Sequence, residues 1–258
     1  METISRANWK GGGWIPDLPD QRDHPYMVAA PIALPPAVDL RPLCPPVYDQ
    51  GQLGSCTANA VAGAIEFDRL KQKAQDFVPS RLFLYWNERF LEGGLAQTKQ
   101  DSGAQIRDGI KSVANQGDCP EPEWPYNVAK FKTKPTTKCY ADALKYKAVT
   151  YSRLTPTLIQ LKQCLASGFP FVFGFTVYES FESPAVASTG HAPMPVKGES
   201  SIGGHAVVGV GYDDAKQWFV VRNSWGPKWG MKGYFTLPFP YLTDSNLSDD
   251  FWTIRVVQ

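Results

Sequence analysis

No stretch of this chain approaches the roughly 18 consecutive apolar residues of a membrane-spanning helix. Met1 to Gly13 also lacks the apolar core of a secretory signal, so neither a membrane span nor classical export is expected. Charge of one sign is missing too. With 26 Lys and Arg against 25 Asp and Glu, the net charge is +1, which excludes nucleic-acid or membrane-surface binding driven by bulk charge. There is no C-x-x-C pair and there are only three His, so a zinc site has little to build on. No internal repeat or low-complexity tract is visible.

What remains describes a large globular chain. The 258 residues are 43% hydrophobic and 20% charged, enough for a full core in one large domain or two packed ones. The five cysteines (Cys44, Cys56, Cys119, Cys139 and Cys164) are odd in number, which leaves at least one free thiol.

Residues 1–38 differ from the rest. Gly11-Gly12-Gly13, Trp14-Ile15-Pro16-Asp17-Leu18 and a Pro-spaced run to Pro36 show no helix or strand period, so extended backbone is expected. Trp9, Trp14, Ile15, Leu18, Tyr26 and Met27 are too apolar for a simple tail. The segment is expected to lie across the main body.

Helix signals then cluster at 56–72, at 81–90 with Ser80 as cap, and at about 104–115 before Gly117. From about Lys145 the pattern becomes strand-like: 146–154, 169–177, 206–212, 218–222 and 233–237, with one short helix at 157–166. Strands do not alternate with long helices, so the expectation is α+β, with a helical half (39–144) and an antiparallel, barrel-like β half (145–258). A cleft between two such lobes is a favoured ligand site.

Within this layout one stretch stands out. Gln50-Gly51-Gln52-Leu53-Gly54-Ser55-Cys56 leads into the first helix, with Ser55 at the N-cap position and Cys56 in the first turn. Unpaired N–H groups and the helix dipole there favour a thiolate. A buried structural Cys fits the same signal, because a nucleophile also needs a base. His205, after Gly203-Gly204 and before an apolar strand, is the outstanding base candidate. His24 and His191 read as surface residues. Asn223, in Arg222-Asn223-Ser224-Trp225-Gly226, can accept from an imidazole N–H, and Trp225 can cover that bond. A plain turn is the simpler alternative, but two Trp crowd the same Gly-rich loop.

Taken together, these blocks resemble the papain family of cysteine peptidases. Gln50-Gly51 and Gly54-Ser55-Cys56, His205-Ala206-Val207 with Gly211-Tyr212, and Asn223-Ser224-Trp225-Gly226 with Trp229-Gly230 and Gly233-Tyr234 occur in family order. Ala37-Val38-Asp39-Leu40-Arg41 is similar to the start of a mature domain. His205 follows Cys56 by about 150 residues, as in the family.

The resemblance implies a two-lobed fold over 39–258 and a peptidase that takes polypeptide substrates. It implies Cys56 as nucleophile, His205 as base, Asn223 as its orienter, and Gln50 with the Cys56 N–H as oxyanion donors. Gly103 would pair with substrate backbone. Gly204 would flank the pocket for the second residue before the scissile bond. Ser224 and Trp225 would line the leaving-group side. Neither cofactor nor metal is expected, no nucleic-acid or membrane partner, and a monomer is the expected state.

Two departures are clear. Leu53 stands where the family usually has Cys, and Thr57 where an aromatic follows the nucleophile, so disulfides cannot be carried over. Only about 38 residues precede the mature-like start, and part of them, Trp14–Leu18 or Tyr26–Met27, is expected to block the cleft, with glycines 11–13 as a hinge. Two rival readings share parts of the pattern: another Cys-His hydrolase or transferase, and a catalytically altered binding module on the same fold.

Overall fold

In a computed structural model the structure describes residues 12–27, 33–75 and 77–257. The chain is α+β, with helices preceding and flanking a seven-stranded antiparallel sheet. The first short strand, β1 (Ala37–Asp39), is followed by helices α1 (Cys56–Lys71), α2 (Arg81–Gln97), α3 (Ile106–Gln116) and α4 (Thr137–Ala143). The β half contains β2 (Ala148–Arg153), α5 (Leu158–Ala166), β3 (Phe171–Tyr178), α6 (Pro184–Thr189) and β4 (Ser201–Asp213). It is completed by β5 (Trp218–Arg222), β6 (Tyr234–Pro238), α7 (Phe239–Thr243) and β7 (Ser248–Val257). Sheet order is β2-β7-β3-β4-β5-β6, with β1 also pairing β4. β1, which precedes the helices in the chain, joins the sheet by pairing Val38 with Tyr212 of β4.

α1 is the hub. Fourteen of its residues, Cys56 to Arg69, are buried, because it packs on α2 and α3 on one side and on β4 and β7 on the other. This explains why its sequence is apolar on more than one face. α2 is longer than its periodicity indicates, but Gly93 and Gly94 leave helical dihedrals and kink it where the apolar pattern stops. On the sheet side, Phe171, Phe173, Phe175, Phe219 and Phe251 are buried without exposure, and Phe173 and Phe251 stack at 5.2 Å between ring centroids. This aromatic layer makes a stiff support for β4, the strand that carries His205. β1, β7, α4, α6 and α7 are absent from the expected elements. β7 was hidden because it opens on Ser248-Asp249-Asp250, which reads as a turn. All five thiols are free.

Candidate active site

Cys56 is the first residue of α1, and Ser55 is its N-cap by position only: its side chain makes no cap hydrogen bond. The Ser55 hydroxyl is taken by Tyr126 Oη at 2.5 Å and by Asn59 Nδ2 at 3.1 Å. The expected cap is thus replaced by a brace, and the first-turn N–H groups are left for other work. Backbone N–H groups of Ala206, Thr57 and Cys56 face the Cys56 sulfur and favour a thiolate. Burial outweighs them, and the thiol is pushed up to about 12. The Ala206 contact puts the thiol next to the residue that follows His205.

His205 is central in β4, opposite Phe175 of β3, and fully buried. Its Nε2 lies 2.8 Å from Asn223 Oδ1. That amide oxygen also accepts from the Ser224 N–H at 2.8 Å, which fixes oxygen, not nitrogen, toward the ring. Nε2 therefore carries the proton and Nδ1 is the basic nitrogen. Nδ1 has no hydrogen-bond partner among the described residues. Trp225 stacks on the imidazole at 4.9 Å and 24°, and its other side meets Trp229 edge-on at 5.0 Å. Burial holds the imidazole pKa down to about 4, against the upward pull of the Asn223 bond.

Gln50 is held on four sides. Its N–H donates to Ser224 O (2.9 Å), its carbonyl accepts from Tyr126 Oη (2.9 Å), and its Oε1 accepts from Ser224 Oγ (2.5 Å). Nε2 donates one hydrogen to Leu53 O at 3.0 Å, which leaves its second hydrogen for a ligand. Thr57 Oγ1 donates to buried Glu88 at 2.8 Å. His24 and His191 are exposed, as expected; His191 stacks on Trp218 at 5.0 Å.

Residues 12–18 run along the cleft. Ala104 N–H donates to Gly13 O (2.5 Å) and Ile15 N–H to Ala104 O (3.0 Å), so Trp14 pairs Ala104 as a parallel bridge. Strand-like pairing thus falls on Ala104 and not on Gly103, whose N–H goes to the Tyr85 hydroxyl at 3.1 Å. Gly103 (φ +77°) instead permits the approach, because a Cβ there would strike the Gly13 backbone. The Trp14 ring lies over Gly204 and Gly174. Of the two stretches expected to cover the cleft, it is therefore Trp14–Leu18 that reaches it. Tyr26 packs under Arg255 and Met27 is exposed. Of the hinge glycines, Gly11 lies outside the described residues, as does Trp9.

Sequence reasoning missed the anchors of this segment. Asp17 accepts from Arg107 N–H (3.1 Å) and Trp252 Nε1 (3.0 Å), and Asp23 pairs with Arg107 at 2.6 Å and Arg153 at 3.0 Å. Asp250 accepts from Trp14 Nε1 at 3.0 Å and from the Asp17 N–H at 2.7 Å. The acidic residues of the segment were visible in the sequence. Their basic partners come from α3 and β2 and carry no local motif.

Of the eight residues expected at the site, contacts link Gln50 to Ser224, His205 to Asn223 and Trp225, and Cys56 to Ala206 beside His205, while Trp14 lies against Gly204 and Gly13 against Gly103. Comparison with known proteins gives the family. Residues 34–240 match the sequence model of the papain family cysteine proteases. An uncharacterized peptidase C1-like protein of Acanthamoeba polyphaga mimivirus is 48% identical over 218 residues, covering 81% of this chain and 69% of its own. The crystal structure of xylellain, a cysteine protease from Xylella fastidiosa, is similar with a TM-score of 0.87 and 46% identity, over 96% of this chain and 97% of that one. A procathepsin B from Trypanosoma congolense shares the fold at a TM-score of 0.78 and 20% identity, over 100% of this chain and 90% of its own. The chain belongs to the papain family of cysteine proteases.

Proposed function

We propose that the chain is an endopeptidase working through Cys56, His205 and Asn223, and that residues 12–18 hold it inactive. The observation that carries the first part is the His205 Nε2–Asn223 Oδ1 bond, with Nδ1 left as the free base. His205 Nδ1 takes the Cys56 proton, and the sulfur attacks the peptide carbonyl carbon. The developing oxyanion is received by the Cys56 N–H and the second Nε2 hydrogen of Gln50. The imidazolium returns its proton to the leaving amine as the C–N bond breaks, which leaves a thioester. Water, deprotonated by the same nitrogen, then cleaves the thioester and releases the acid. Trp225, stacked on the ring, keeps water from the Asn223 bond.

The second part rests on the backbone pairing of Gly13 and Ile15 with Ala104 and on the Asp17 and Asp23 anchors. With burial holding Cys56 as thiol and His205 as neutral imidazole, the covered form lacks a reactive thiolate. Withdrawal of the segment admits water and substrate together. Hydrolysis of a fluorogenic peptide by the full chain and by its Trp14→Gly and Cys56→Ser variants tests both parts. Trp14→Gly is faster than the parent and Cys56→Ser is inactive. Equal rates for Trp14→Gly and the parent remove the blocking role, and activity in Cys56→Ser removes the nucleophile.

A further inference from the structure

The loop between α3 and α4 sends one side chain, Tyr126, to the oxyanion donors, and the mechanism leaves it without a role. This loop is fastened to the start of α2. Ser80 Oγ, which caps α2 by accepting from the Phe83 N–H, donates to Trp124 O at 2.6 Å. Glu121 accepts from the Tyr126 N–H at 2.8 Å and pairs with Arg81 at 2.8 Å. The Arg81 guanidinium in turn lies 4.2 Å from the centre of the Tyr126 ring. Backbone and ring of Tyr126 are therefore both held, and its hydroxyl has a fixed place.

That hydroxyl sits between Gln50 O at 2.9 Å and Ser55 Oγ at 2.5 Å. A carbonyl oxygen only accepts, so Tyr126 spends its one proton on Gln50. Ser55 must then donate to Tyr126, and its Oγ accepts from Asn59 Nδ2 at 3.1 Å. The other Nδ2 hydrogen goes to Ser55 O at 2.9 Å. The bonds thus run one way, from Asn59 to Ser55 to Tyr126 to Gln50, and each strengthens the next. Burial pushes the Tyr126 phenol up to about 12, which keeps it protonated as this order requires.

The two ends of this chain of bonds hold the two oxyanion donors. Ser55 O and the Cys56 N–H belong to one planar peptide group, so the Asn59 bond to that oxygen also sets the direction of the N–H. Gln50 has its N–H on Ser224 O and its carbonyl on Tyr126, so its backbone is clamped on both sides and its side-chain amide starts from a fixed base. We propose that Tyr126 is a positioning residue of the oxyanion hole, which keeps Gln50 in register with the Ser55–Cys56 peptide so that both donors meet one oxygen. This rests on the peptidase reading above and on its two oxyanion donors.

The test takes the full-length Trp14→Gly chain as parent and adds Tyr126→Phe, which keeps the ring on Arg81 and removes the hydroxyl. Active enzyme is counted by labelling Cys56 with a peptidyl epoxide. kcat is expected to fall roughly tenfold with KM little changed, between the worth of one hydrogen bond and the about 10²-fold cost of displacing a reacting group by about 1 Å. A peptidyl aldehyde, whose adduct with Cys56 places an oxyanion in the hole, loses affinity in the same proportion as kcat/KM. Alkylation of Cys56 by iodoacetamide, a displacement that develops no such oxyanion, keeps its rate. On a Gln50→Ala background Tyr126→Phe costs less than in the parent, because one of the two donors it positions is gone. Ser55→Ala cuts the same chain of bonds at its next link and gives the same pattern, whether or not Tyr126→Phe folds. Unchanged kcat in Tyr126→Phe or in Ser55→Ala overturns the assignment. So does alkylation that slows as much as hydrolysis, or an equal fold-loss with and without Gln50. A slow Gln50→Ala beside an unaffected Tyr126→Phe leaves the peptidase reading intact. No hydrolysis by Trp14→Gly itself removes both.

Discussion

The Asn223 amide oxygen lies 2.8 Å from His205 Nε2 and 2.8 Å from the Ser224 N–H, so one atom fixes both the side-chain flip and the imidazole tautomer. Asn223→Ala frees the ring to rotate and to carry its proton on either nitrogen. The expected loss in kcat is up to roughly 10²-fold, the lower end of what a positioned general base contributes. Asn223→Asp, which keeps an acceptor, retains more activity than Asn223→Ala. Steady-state kinetics on the Trp14→Gly background make the comparison, and an Ala variant as fast as its parent contradicts the orienting role.

Gln50→Ala removes one oxyanion donor and also the brace to Ser224 Oγ. kcat is expected to drop by roughly 10²–10³ with KM little changed, because the lost bond strengthens only as charge develops on the carbonyl oxygen. A change confined to KM points to simple loss of packing.

The covered form makes a prediction about thiol chemistry. With the Cys56 thiol at about 12 and the His205 imidazole near 4, both from burial, the pair stays uncharged between those values. Iodoacetamide should therefore alkylate Cys56 in the parent chain slowly and with little pH dependence between pH 5 and pH 8, relative to a free thiol near 8.5. In Trp14→Gly the reaction should be faster and should persist toward acidic pH, as an ion pair forms. Peptide mapping by mass spectrometry follows the rate at this one cysteine, and equal rates in the two chains count against the account.

Asp68 supplies a stability prediction. It lies near the end of α1, and neither carboxylate oxygen has a hydrogen-bond partner among the described residues. Burial raises it to about 8 from an ordinary 3.8. The folded chain therefore binds a proton that the unfolded chain gives up, so stability is fully present below pH 3.8 and declines as pH rises toward 8. Asp68→Asn removes this dependence and should raise the melting temperature by a few degrees at pH 8, with little change at pH 4. A steeper decline in the Asn variant refutes the assignment.

Much of the site was legible because its chemistry sits in short local blocks. Gln50 to Cys56, His205 after two glycines, and Asn223 beside Trp225 each announce a backbone shape as well as a side chain. The order of the helices and the strand-rich half could be read from period alone. β7 could not, since its opening acids read as a turn and its pairing with β2 and β3 is set by distant residues. The Ser55 cap was misread because Tyr126, far along the chain, competes for the hydroxyl at 2.5 Å. Trp14 was visible as an apolar residue in an odd segment. Its seat on Gly174, Gly204 and Asp250 was not, because three separated strand positions form it.

The central claim is that Cys56 is a nucleophile kept covered by the segment around Trp14. Incubation of the full-length parent and Trp14→Gly chains with a peptidyl epoxide, followed by peptide mapping, tests it most directly. The account predicts a single adduct at Cys56, formed faster in Trp14→Gly, with Cys44, Cys119, Cys139 and Cys164 unmodified. An adduct on another cysteine, or none on Cys56 in Trp14→Gly, contradicts it.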